Sequence, residues 1–138
     1  MFTAITQINL LGVLAATAAS FIIGGIWFGA IVGKPYLVAM GKENAPQQKP
    51  SVLFIFGPTV CNLVITFTSA ILIKMLHIYA LPDALAFGAL IGIGYLIPMC
   101  LMIAINPNFP RPFFYTAINA PYLLATSLLS SVILVSIG

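Results

Sequence analysis

Gly25-Ile-Trp-Phe-Gly29-Ala-Ile-Val-Gly33-Lys34 closes an apolar run that begins near residue 8 and is long enough to cross a bilayer. Glycines at i, i+4 and i+8 share one face of an α-helix, where another helix backbone can come close. The stretch therefore predicts a packing seam made by Gly25, Gly29 and Gly33. The only tryptophan of the chain, Trp27, is embedded in that seam, and Lys34 ends it.

Three further apolar runs follow, so the runs cover residues 8–32, 52–76, 84–105 and 113–137. Each reaches the ~20 residues a helix needs to span ~30 Å of hydrocarbon. Hydrophobic residues make up 62% of the 138 and charged residues 5%, against about 25% charged in a soluble domain. So few charges cannot coat a soluble core. The expected fold is all-α: a polytopic integral membrane protein with four transmembrane helices in a single domain, 1–138. The first run is read as a retained helix rather than a signal peptide. No Lys or Arg precedes it, and it continues past the small residues at 15–20.

Charge and cysteine usage exclude several classes. A net charge of +3 from five basic and two acidic side chains is too sparse to bind nucleic acid. Cys61 and Cys100 lie in separate apolar runs, outside any CxxC pattern, and read as buried small hydrophobes. The lone His77 makes no metal site, and no cofactor is expected. No Asp, Glu, Lys or Arg stands inside a run, since Lys74 and Asp83 are at ends. Proton-coupled carriers generally need such a group. No nucleophile–base pair is apparent, so the chain is not expected to be an enzyme.

The connections orient the chain. Residues 33–51 and 106–112 carry Lys34, Lys42, Lys49 and Arg111, against Lys74 alone on the other side. The positive-inside rule puts those connections in the cytoplasm of a cell (inner) membrane protein, with both termini outside. The short connection 77–83 makes helices two and three antiparallel neighbours, with Asp83 as a helix N-cap. Tyr36, Tyr79, Phe109, Phe113, Phe114 and Tyr115 sit at run ends, as interfacial belts do. There is also an internal echo. Gly24-Gly-Ile-Trp27-Phe28 matches Gly92-Ile-Gly-Tyr95-Leu96, and Thr59-Val-Cys-Asn62 matches Thr116-Ala-Ile-Asn119. Two duplicated hairpins would explain it, and so would chance in an apolar sequence of low complexity.

An early Asn-Leu-Leu, then Gly-Gly-Ile-Trp-Phe-Gly and Gly-Lys-Pro, form one set of motifs. Gly92-Ile-Gly-Tyr95 and Ile118-Asn-Ala-Pro-Tyr122 form another. On these the chain resembles the domain of unknown function 1761 family of small bacterial four-helix membrane proteins. The resemblance covers nearly the whole chain. Tyr95 stands where the family often has a tryptophan. It implies an integral membrane protein and lends no catalytic residue.

What is polar inside the runs is neutral. Asn62 and Asn119 must find hydrogen-bond partners in hydrocarbon, most simply across helices. Ser and Thr are expected to bond to carbonyls of their own helices. Pro58, Pro98 and Pro121 are expected kink positions that free the carbonyls of Phe54, Gly94 and Ala117. At ~1.5 Å per residue, Trp27, Pro58, Pro98 and Asn119 all fall about 10–12 Å from the basic side. This layer predicts a small cytoplasm-facing vestibule lined by Trp27, Asn62, Tyr95 and Asn119. A second small-residue stripe, Gly12, Ala16, Ser20 and Gly24, and a third on Gly88 and Gly92 could pack helix one on helix three. One of these faces could instead form a homo-oligomer.

The first functional expectation is an uncoupled, channel-like or transport role for a small neutral solute or ion. Two alternatives stand beside it. One is a structural or accessory subunit of a membrane complex, partnered by another membrane protein. The other is a binder of a membrane lipid or quinone-like hydrophobe, favoured if the crevice opens laterally.

Overall fold

A computed structural model describes residues 2–138, and for Phe2 the backbone only. Among the described residues every regular element is helical. The order is α1 (Phe2–Thr6), α2 (Leu10–Ile26), α3 (Gly33–Ala39), α4 (Val52–Met75), α5 (Leu81–Ile91), α6 (Ile97–Ala104) and α7 (Pro112–Ile137). A π-helical turn, Trp27–Ile31, extends α2, and a second, Gly92–Leu96, joins α5 to α6. Among the described residues, four helical stretches are long and apolar enough to cross a membrane: Leu10–Ile31, Val52–Met75, Leu81–Ala104 and Pro112–Ile137.

The distribution of side chains is inverted relative to a water-soluble fold. Among the described residues, glycines aside, ten buried residues are apolar and ten are polar, while Leu10, Leu53, Val64 and Met102 are among many large apolar groups left outside. Hydrocarbon is the solvent that tolerates this arrangement. Neutral hydroxyls fill the interior because they are small and can be satisfied locally. Thr17, Thr59, Thr116, Thr126 and Ser131 each donate to the carbonyl four residues back.

α7 is the hub. It packs on α2, α4, α5, α6 and the second π turn. α4 packs on α2 and α7 rather than on α5, which corrects the expectation that helices two and three are neighbours. The short connection makes them antiparallel, but closer approach elsewhere draws them apart. A Cβ at Gly88 would lie 2.8 Å from the Leu128 Cα and 2.9 Å from the Ser127 carbonyl oxygen. One at Gly92 would lie 3.3 Å from the Leu124 Cα. Ser127 secures the crossing by donating to the Gly88 carbonyl at 2.8 Å. The Gly88–Gly92 face therefore belongs to α7, and helix one is not its partner. The Gly12–Gly24 stripe also faces α7, with Gly12 near Ile137 and Gly24 near the Tyr122 hydroxyl.

The seam at Gly25, Gly29 and Gly33 is likewise corrected. Nothing lies within 4 Å of a Cβ at Gly25 or Gly29, and at Gly33 the neighbour is the Phe28 carbonyl of the same segment. Four-residue spacing marks a single face only while the helix stays α. Here Val32 donates to the Trp27 carbonyl five residues back, and the helix breaks at Val32 before α3. Helix three begins with Ala80 as N-cap, and Asp83 falls in the first turn instead.

At one end of the bundle Arg111 donates to the Val38 carbonyl at 2.9 Å and lies 3.8 Å from Glu43, joining the two basic connections. At the other end Asn9 donates to the Ile137 carbonyl and Lys74 to that of Gly138.

Candidate functional site

The residues expected to share one vestibule are divided by α7. On the α2 side, the Trp27 indole donates to the Ile118 carbonyl at 3.0 Å. That carbonyl lies three residues before Pro121, where the ring crowds the preceding turn. Trp27 thus ties the first π turn to the proline segment of α7. Beside it, Phe28 packs edge-on against Tyr122 and Tyr36, and Tyr115 joins Tyr36 to Phe109. Tyr36, Phe109 and Tyr115 therefore pack on one another in a half-buried aromatic column. Tyr79, Phe113 and Phe114 are exposed near helix ends.

Asn119 is buried and donates to the Tyr115 carbonyl of its own helix at 2.8 Å, not across helices. Tyr95 is 67% exposed on the outside of the bundle. The second π turn carries it there, because its extra residue shifts the phase of the face that began at Gly88. Pro98 follows that turn directly, in the first turn of α6. Pro58 and Pro121 stand inside continuous helices, α4 and α7.

On the α4 side lies a cleft of about 190 Å³. One wall is α4, with Pro58, Asn62, Thr66 and Ser69. The other is α7, with Tyr122, Thr126, Ser127 and Ser130, and Leu96 closes one edge. Of the expected lining only Asn62 is here. Cys61, expected to be buried, is exposed at the rim together with Pro58. The first residues of α4, Val52 to Phe56, leave their side chains exposed.

The two walls differ in their chemistry. On α7, Thr126 donates to the Tyr122 and Leu123 carbonyls, Ser127 donates to Gly88, and Ser130 pairs with Ser20 of α2 at 3.2 Å. On α4, Asn62, Thr66 and Ser69 make no side-chain hydrogen bond among the described residues. Thr66 is 1% exposed, and its hydroxyl is a buried polar atom without a partner. Sequence reasoning missed Thr66 and Ser69 because it expected each hydroxyl to bond within its own helix. Their signal was spacing, since 62, 66 and 69 fall on one helix face.

A second groove, between α2 and α4, is larger at about 350 Å³. Its hydroxyls are already committed, Thr17 to Val13 and Thr59 to Ile55. It offers a ligand only apolar contact.

The family profile of DUF1761, a protein of unknown function, matches residues 11–135. The chain belongs to that family. The match runs through all four spans and both walls of the cleft, so the site lies within the part the family shares. No curated protein and no solved structure is significantly similar to the chain.

Proposed function

We propose that this DUF1761 protein takes up a lipid-soluble molecule from the bilayer into the cleft between α4 and α7, without bond-making chemistry. The observation that carries this reading is a cleft whose rim is the exposed side of α4 and whose inner end is closed. Pro58 and Cys61 border the opening, while the Ser20–Ser130 pair blocks the way between α2 and α7. A through-path for ions or solutes within one protomer finds less support, because Val13, Ala16, Ala70, Ile73, Phe87 and Leu134 pack together in the same half of the bundle. The reading places the protein in the cell membrane with its basic connections in the cytoplasm.

The test begins with protein purified in mild detergent and extracted with organic solvent, the extract being analysed by mass spectrometry. A non-phospholipid hydrophobe or a distinct lipid should be retained by the wild type and lost from Cys61→Trp, which fills the cleft from an exposed position. Reconstituted protein should show no flux of ions or small solutes. Flux that Asn62→Ala alters would restore the channel reading.

A second reading, self-association or service as an accessory subunit, is favoured by the outward face of Gly25 and Gly29. Such a face permits close approach of another transmembrane helix. Gly29→Leu distinguishes it, through loss of an oligomer with the protomer intact.

A further inference from the structure

We infer that the occupant of the cleft is a neutral amphiphile with a carbonyl-bearing head no larger than one six-membered ring, hydrogen-bonded by α4 alone. The inference rests on the cleft reading and specifies its ligand. Three side chains on one helix face, Asn62, Thr66 and Ser69, line the cleft with their hydrogen-bonding groups uncommitted, and Thr66 is fully enclosed there. Other buried hydroxyls of the bundle find a protein partner: Thr17, Thr116, Thr126 and Ser131 donate to their own helices, Ser127 donates to the Gly88 carbonyl, and Ser20 pairs with Ser130. Thr66 departs from that pattern: its hydroxyl, sealed in the cleft wall, has no partner among the described residues, and a turn about χ1 would present it to a ligand in the cleft.

The missing chemistry is an acceptor. All three α4 side chains can donate, and in native structures orphaned donors are rarer than under-used acceptors. A carbonyl oxygen has two lone pairs and can receive two of these donors at once. No charged residue lines the cleft. An ionised head would therefore lie unpaired in hydrocarbon, so the head is neutral. Size sets the remaining limit. A buried cavity of about 150 Å³ accommodates benzene, and this cleft offers about 190 Å³. One ring or one ester group fits, with its chain leaving past Pro58 and Cys61 into lipid.

A carbonyl of this kind comes either from the ring of a quinone-like lipid or from the ester of an acyl lipid. Vesicles of ether-linked phosphatidylcholine contain no ester carbonyl and so keep the host lipid from competing. Three radiolabelled probes are added to protein in such vesicles: a benzoquinone bearing a decyl chain, methyl palmitate, and hexadecane. The expected result is saturable binding of a carbonyl probe, not displaced by hexadecane. Thr66→Val and Asn62→Leu should each weaken it about tenfold, the loss of one hydrogen bond. Thr126→Val, whose hydroxyl already serves its own helix, should stay within about twofold of wild type. Thermal melting of Thr66→Val at or above wild type shows that the fold is kept.

Binding of the quinone alone identifies a ring head, and binding of the ester alone an acyl lipid; either supports the inference. Hexadecane binding as well as the carbonyl probes, with Thr66→Val unchanged, overturns the inference and leaves an unselective cleft. Failure of all three probes to bind overturns the cleft reading itself.

Discussion

The carboxy-terminal half of α4 is held inside the bundle by Thr66, Ser69, Ala70 and Ile73, whereas the amino-terminal half presents Val52, Leu53, Phe54 and Phe56 to the outside. Both halves are equally apolar in sequence. What separates them is the partner each one meets. The carboxy-terminal half meets the Val13, Phe87 and Leu134 cluster, where small residues of α2 and α7 let helices close. The amino-terminal half faces the level of Pro121, Trp27 and Tyr122, where bulky rings hold α2 and α7 to each other. α4 is left there between two grooves. A transmembrane helix can stay half-attached because lipid solvates its apolar side chains as well as a neighbouring helix does.

Substitutions along this boundary should have graded effects. The largest is expected in the sealed half. Gly88→Leu drives a side chain into the α7 backbone and should destabilise the bundle by about 3 kcal/mol or more, read as unfolding in mixed detergent. An unchanged unfolding midpoint would mean that α5 does not lie against α7.

Trp27→Phe removes the donor that serves the Ile118 carbonyl at the edge of the open half. A cost of about 1–3 kcal/mol is expected from the buried acceptor left behind. Thr66→Val should act in the opposite direction. It deletes a buried hydroxyl that has no protein partner, so ligand-free protein should gain about 1 kcal/mol. A loss of similar size would show that the hydroxyl is satisfied in the folded protein.

Ser20→Ala breaks the pair with Ser130 and should cost only about 0.6 kcal/mol, the mean for hydrogen bonds between membrane helices. Gly29→Leu comes last, with a change under about 0.5 kcal/mol in protomer unfolding, because a Cβ there meets nothing. A large effect of Gly29→Leu would place another helix on that face and redraw the boundary.

The echoed Thr-x-x-Asn motifs show how far pattern reading reaches. Thr59 and Thr116 behave alike, each bonding to the carbonyl four residues back. The asparagines do not: Asn119 bonds to its own helix, and Asn62 stands unbonded in the cleft. Each echoed glycine motif meets a π turn, but at a different place: the turn opens at Trp27, near the end of one motif, and at Gly92, the start of the other. Sequence similarity carried local habit across the two halves. It did not carry environment, which depends on what packs opposite.

Composition and run length were sufficient for the all-helical, four-span architecture, because hydrocarbon forces a spanning backbone to satisfy its own hydrogen bonds. The apolar runs also coincide within a few residues with the four long helices. Which glycine faces became interfaces was decided only by packing. The spacing of Gly25, Gly29 and Gly33 assumed an unbroken α-helix, and a π turn removed that assumption. Tyr95 left the expected site for the same reason, while Thr66 and Ser69 line the cleft because they share a face of α4 with Asn62. In a chain where nearly every position is apolar, periodicity says which residues share a face. Only close approach between backbones says what that face meets.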